Sequence, residues 1–178
     1  MEFVRQYSHL GHILSDDFDD ASGINRGRVK LISQINSVLC YFRKVYCFVR
    51  MRLLTTYCYS LYGCVLLDFV HPDLNRVCTT SRVGVRRAWS LPYRTHSNLL
   101  PLSSLQLPLV DEVAKRILEY SWKCLSSDSK LVSRVPYHGL LSACMISPFA
   151  RNVFNCCSYL NTSTCNLWQL TPAYILKL

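Results

Sequence analysis

The sequence predicts a mainly α protein: a short N-terminal β element, a three-helix bundle and a small helical extension. Three observations carry this expectation. Apolar residues recur at helical spacing in successive segments between residues 25 and 125, a proline- and serine-rich stretch interrupts them at 92–109, and the one strand-like stretch lies before residue 16. With 178 residues, 50% of them apolar and 17% charged, the chain is able to bury a sizeable core and does not have the composition of a disordered segment.

Tyr7 to Leu14 is short and apolar with an internal Gly11, which suits an edge or terminal strand with a close backbone approach. Asp16, Asp17, Asp19, Asp20 and Ser22 then offer carboxylates and cap-type side chains to the positive end of a helix. That helix is expected over about 25–44. It places Leu31, Ile32, Ile35, Val38, Leu39 and Phe42 on one side and Arg26, Lys30, Ser33, Ser37 and Lys44 on the other. Arg28 falls toward the apolar side, where it lies before the first full turn or snorkels to water. A second helix, about 49–62, carries Leu54, Tyr57, Leu61 and Val65 along one stripe with Arg52 opposite, and Gly63 weakens or ends it.

After His71 and Pro72, Asp73 is positioned to cap a third helix. Its apolar stripe is Leu74, Val77, Cys78, Ser81, Val85 and Ala88, with Arg76, Arg86 and Arg87 on the far side. Leu91-Pro92 ends it, because a proline disfavours helical backbone in the residue before it. Residues 92–109 read as a Pro/Ser/Leu-rich linker with at most a short helical turn capped by Thr95 or Ser97. The helical pattern returns at 110–125 and again at 148–160. The expected plan is therefore a β element and turn (1–20), a helical domain (21–91), the linker (92–109) and a helical Cys-rich extension (110–178).

Charge is distributed unevenly. Between Ala21 and Arg94 twelve Lys/Arg face two acids, Asp68 and Asp73, whereas the remainder after Arg94 holds seven basic and four acidic residues. The first half is thus the candidate polyanion binder. The ten cysteines lack a Cys-x-x-Cys pair, and Cys40, Cys58, Cys64 and Cys78 fall at apolar helical positions, where a reduced thiol acts as a small hydrophobe. These features and the apolar-poor start (MEFVR) lead to an expectation of an intracellular protein of nucleus or cytoplasm, without structural zinc. No membrane span is expected: Leu53 to Leu67 is too short and is flanked by Arg52 and Asp68, and Asn152 to Leu176 is too rich in Asn and hydroxyls.

Five segments stand out in order: Leu10 to Asp17 (LGHILSDD), Asp19-Asp20 with Ile24 and Arg26, Leu54 to Cys64 (LTTYCYSLYGC), Gly84 to Ser97 (GVRRAWSLPYRTHS) and Ser147 to Val153 (SPFARNV). Together they resemble the C-terminal portion of a LINE-type, non-LTR retrotransposon reverse transcriptase, from the end of the palm through the helical thumb and beyond. The first resembles the palm-ending Tyr-Leu-Gly-His strand, and the second the start of the thumb. The third is similar to the aromatic second thumb helix, while the fourth and fifth resemble the Arg-Arg-x-Trp-x-Leu-Pro-x-x-Thr-His-Ser and Ser-Pro-x-x-Arg-Asn runs of one branch. The sequence departs from that pattern at His9, Leu67 and Ser81, where the family favours Tyr, Trp and Trp. Ser81 interrupts an apolar stripe, and a hydroxyl there needs a partner. Replacing it with Leu or Trp is expected to complete the stripe and raise the melting temperature.

The family's polymerase needs carboxylates of the palm, above all a Tyr-x-Asp-Asp turn, to hold two divalent ions such as Mg. This sequence contains no such turn, and no endonuclease of the kind these elements encode. The expectation is a fragment that does not polymerise as written and binds no cofactor of its own. Asp16, Asp17, Asp19 and Asp20 are read as capping and solvated residues rather than metal ligands.

What the resemblance leaves is the thumb, which in the family packs against the template–primer duplex. The expected nucleic-acid-binding residues are Arg26, Lys30, Ser33, Ser37 and Lys44 on the first helix. Arg50 and Arg52, with Arg43, lie at the following turn, and Arg76, Arg86 and Arg87 on the third helix. Expected partners are an RNA–DNA hybrid or other duplex, and the palm and fingers portion of such an enzyme. Trp89, Tyr57 and Tyr62 read as core or lid residues rather than base stackers, and His96 as turn chemistry. Two alternatives stand beside this reading. One is a free-standing three-helix DNA-binding module with its third helix in the major groove, although that helix offers no outward Asn or Gln to read adenine. The other is a structural or non-functional element remnant, favoured by a start just before a strand whose sheet partners are missing.

Overall fold

A computed structural model describes residues 6–9, 12–15, 19–60, 63–141 and 147–162. The protein is mainly α, as the periodicity requires. Two short strands, β1 (Gln6–His9) and β2 (His12–Ser15), precede α1 (Ala21–Tyr41), α2 (Cys47–Cys58), α3 (Leu74–Ala88), α4 (Leu99–Ser104), α5 (Leu109–Leu125), α6 (Lys130–Leu141) and α7 (Pro148–Tyr159). The chain folds as two units. The first comprises residues 1–63 and 71–109, and the second 64–70 and 110–178. This partition differs from the expected one at two places: 92–109 packs within the first unit rather than linking two, and 64–70 belongs to the second.

In the first unit the stretch expected as one strand is an antiparallel pair, with Gln6 opposite Ser15, Tyr7 opposite Leu14, Ser8 opposite Ile13 and His9 opposite His12. Asp16 and Asp17 lie outside the described residues. Of the remaining acids it is Asp19, not Asp20, whose carboxylate accepts from a first-turn amide, that of Ala21, at 3.0 Å. Asp20 occupies the N-cap position in a helical conformation and makes no side-chain cap bond. The cap starts α1 four residues earlier than expected. It buries Ile24, Leu31, Ile35, Val38 and Leu39, while Ile32 and Phe42 lie at the exposed margins of the face. The helix stops at Tyr41, and the Val45 amide closes a turn on the Phe42 carbonyl at 3.1 Å, so Lys44 leaves the helix and sits in the corner.

Helix α2 spans 47–58 rather than 49–62 and buries Met51, Leu54 and Cys58. Tyr57 points outward, and Leu61 and Tyr62 lie outside the described residues. Gly63 follows in left-handed backbone, φ 75°, a conformation suited to glycine. Helix α3 buries its whole expected stripe together with Gly84. A β-carbon on Gly84 would fall 2.8 Å from Ile35 Cδ1, so the absence of a side chain lets α3 lie close against α1. Asp73 stands at the N-cap but forms no side-chain cap bond; its carboxylate pairs instead with Arg76 at 2.8 Å. At the other end Ser90 adopts left-handed backbone, φ 55°. The Leu91 amide reaches back to the Arg86 carbonyl at 2.8 Å and the Ser90 amide to Arg87 at 3.2 Å. The helix is thus stopped by a Schellman turn, with Pro92 beyond it.

Ser81 corrects the expectation of a defect. It is 6% exposed, and its hydroxyl donates to the Tyr59 hydroxyl at 3.0 Å, while the Tyr59 hydroxyl lies 3.4 Å from the Ser81 carbonyl. The hydroxyl on the apolar stripe is a satisfied bridge from α3 to the end of α2, which removes the reason for larger apolar residues to stabilise the fold. Burial pushes the Tyr59 phenol up to about 12. Residues 92–109 contain α4, entered at Asn98 rather than capped by Thr95 or Ser97, and held by the buried Leu100.

In the second unit α5 buries Val113, Ala114, Ile117, Leu118, Ser121 and Cys124 on one face. Helix α6 was not anticipated; it contains Pro136 and Gly139, both of which read as helix breakers. Ser147 caps α7, accepting from the Ala150 amide at 3.5 Å, with Pro148 in the first turn where its missing N–H is harmless. Asn152, buried on α7, bridges the backbone of the 64–70 segment: its Oδ1 accepts from the Phe69 amide at 3.0 Å and its Nδ2 donates to the Leu67 carbonyl at 2.8 Å. Arg151 adds an ion pair to Asp68 at 3.3 Å. Cys58, Cys64 and Cys78 are buried as expected, but Cys40 is exposed.

Candidate nucleic-acid interface

No acidic residue occurs between Ala21 and Leu67, whereas seven cations do, so α1, α2 and the corner joining them form an uninterrupted positive stretch. Helix geometry sorts its side chains. Because Ile24, Leu31, Ile35 and Val38 face the core, Arg26, Lys30, Ser33 and Ser37 must project on the opposite side, and all four are exposed. Arg26 Nη1 lies 3.5 Å from the Ser8 hydroxyl of β1, which holds the guanidinium near the start of the face. The two serines are short, leaving room between the cations for a close backbone approach by a ligand.

Lys44 and Arg52 are exposed as well, on the corner and on α2, with Arg43 beside them. The other expected contacts are placed differently. Arg86 turns inward: its Nε and Nη2 donate to the Thr95 carbonyl at 3.2 and 2.9 Å, and Nη2 also to the Ser97 hydroxyl at 3.0 Å. That guanidinium pins the Thr95-His96-Ser97 turn onto α3. Arg87 donates to Asn36 Oδ1 on α1 at 2.6 Å, Arg50 to the Ser90 hydroxyl at 3.2 Å, and Arg76 holds Asp73. Each of these four bonds a neighbouring polar group, whereas Lys30, Lys44 and Arg52 extend from exposed positions.

Trp89 is half-buried, and its Nε1 is buried without a hydrogen-bond partner, so its ring is not offered as a stacking platform. His96 is exposed and its Nδ1 accepts from the Asn98 amide at 3.4 Å, a turn role as expected. Three aromatic side chains at the corner carry no expected role from the sequence pattern. Tyr41 is 84% exposed, Tyr46 79% and Phe48 55%, and the signal for them was the basic pair Arg43-Lys44 set directly among aromatics. The part Asn152 plays in holding 64–70 depends on partners more than eighty residues away in sequence. Among the described residues no cluster of His, Cys, Asp or Glu has the geometry to hold a metal ion, and no helix is long and apolar enough to cross a membrane.

Comparison with protein-family models, curated proteins and solved structures returns no match.

Proposed function

We propose that the first unit binds duplex nucleic acid, an RNA–DNA hybrid included, through its backbone phosphates, in the manner expected of the thumb of a non-LTR retrotransposon reverse transcriptase. The observation that carries this reading is the outward face of α1. Arg26 and Lys30 stand there with the small hydroxyl residues Ser33 and Ser37, in a stretch of 47 residues with no carboxylate to compete for the cations. Phosphate contacts fix position but read no sequence, and this face has few side chains to read base edges. In this reading the chain binds rather than polymerises. A major-groove module is disfavoured, because Arg86 is occupied by Thr95 and Ser97, and Arg87 by Asn36.

The test is fluorescence anisotropy of labelled hybrid and duplex over a salt series. Affinity should be micromolar or weaker and insensitive to sequence. With about four phosphates neutralised, log affinity should fall against log salt with a slope of roughly −3 to −4. Lys30→Gln or Arg26→Gln should reduce that slope by about one unit. A salt-independent affinity, or none at low salt, would favour a purely structural role.

A further inference from the structure

We propose that the α1–α2 corner is a second binding surface, for single-stranded nucleic acid, on which unpaired bases stack against Tyr41, Tyr46 and Phe48. This goes beyond the duplex reading and does not depend on the outward face of α1. The corner is made by the end of α1 at Tyr41, the turn closed between Phe42 and Val45, and the start of α2 at Cys47. Three aromatic residues, each more than half exposed, lie within eight positions of the chain. Arg43, Lys44 and Arg52 are exposed among them. Phe48 and Arg52 lie four residues apart on α2, so a ring and a guanidinium occupy one face a turn apart.

Aromatic residues interleaved with cations, in a stretch without a carboxylate from Ala21 to Leu67, meet the two requirements of single-strand binding. Bases supply π faces to the rings, and the connecting phosphates supply charge to Arg43, Lys44 and Arg52. A duplex is a poorer ligand for this corner, since its bases are already stacked on one another. A membrane surface shares the charge and the aromatics. It calls, however, for a strongly segregated apolar face along the helix. Helix α2 does not have one: Phe48, Val49, Arg52 and Thr56 are intermixed on its exposed side.

The experiment uses the full chain and three probes: a labelled oligouridine of about twelve nucleotides, an abasic strand of the same length with the same phosphates, and phosphatidylserine vesicles. The oligouridine should bind more tightly than the abasic strand by about tenfold. The double substitution Tyr41→Ala with Tyr46→Ala should abolish that difference, and Tyr41→Phe with Tyr46→Phe should retain it. All these positions are exposed, so thermal melts of the variants should coincide with that of the parent. Lys30→Gln should weaken duplex binding and leave the oligouridine preference intact, which separates this surface from the face of α1. Equal affinity for abasic and base-bearing strands, a preference that survives the double alanine substitution, or binding to vesicles without binding to the strand would each overturn the proposal.

Discussion

Ser81→Leu should lower stability, although a leucine would make the exposed-to-buried pattern of α3 more regular. The serine hydroxyl donates to the Tyr59 hydroxyl at 3.0 Å in a position only 6% exposed. Removing the donor forfeits a buried hydrogen bond, worth about 1 kcal/mol. Two further heavy atoms must then enter a stripe already filled by Val77, Cys78, Val85 and Ala88, and overpacking of this kind costs roughly 1–3 kcal/mol. The offsetting gain is the burial of a leucine side chain, at most about 2–3 kcal/mol, and it is realised only where there is space. With about 1 kcal/mol of that gain realised in a filled stripe, the balance is a loss of about 1–3 kcal/mol, or a fall in melting temperature of roughly 2–12 °C for a chain of this size.

Thermal melts of Ser81→Leu and Ser81→Ala, with a double-mutant cycle of Ser81→Ala and Tyr59→Phe, separate the two terms. The cycle should return a coupling of about 0.5–1.5 kcal/mol, whereas overpacking afflicts only the leucine. A leucine variant that melts higher than the parent, or a coupling of zero, would refute the reasoning.

Two other outcomes follow from the same bookkeeping of buried groups. Asn152→Ala should destabilise the second unit by about 2–4 kcal/mol, because the Phe69 amide and the Leu67 carbonyl both lose their partner, and hydrogen exchange at Phe69 should accelerate; unchanged exchange there would count against the bridge. Alkali should also destabilise the fold. Burial holds the Tyr59 phenol and the Cys156 thiol up to about 12, and the Cys58 and Cys157 thiols up to about 11, so the folded state retains protons that the unfolded chain has released. That contribution is complete below pH 9 and is lost as pH rises from 9 to 12. Urea midpoints should fall across this window, less steeply above pH 10 in Tyr59→Phe, and identical slopes in parent and variant would remove Tyr59 from the account.

Much of this protein was determined by the sequence alone where information is local and repeated. Helix α3 is the clearest instance: Leu74, Val77, Cys78, Ser81, Val85 and Ala88 share one face because 3.6 residues complete a turn, and every one of them is buried. The same periodicity set Arg26, Lys30, Ser33 and Ser37 opposite the core of α1. Helix ends were less legible, since stopping α1 at Tyr41 and α3 at Ala88 depends on turns that compete with one further helical residue for small free energies. Helix α6 is not legible in the sequence pattern because Pro136 and Gly139 oppose it locally.

What only the tertiary structure decided is the fate of individual polar groups. The sequence presents Arg86 and Lys30 alike as basic residues on polar helix faces. Folding brings the Thr95 carbonyl and the Ser97 hydroxyl to one of them and leaves the other in water. Ser81 is a flaw in a pattern until Tyr59 arrives from a segment 22 residues away, and Asn152 has no stated purpose until the backbone of 67–69 meets it. A hydrogen bond is short-ranged and directional, so its existence depends on a partner's position to a few tenths of an ångström. Burial periodicity, being an average over many contacts, survives without that knowledge.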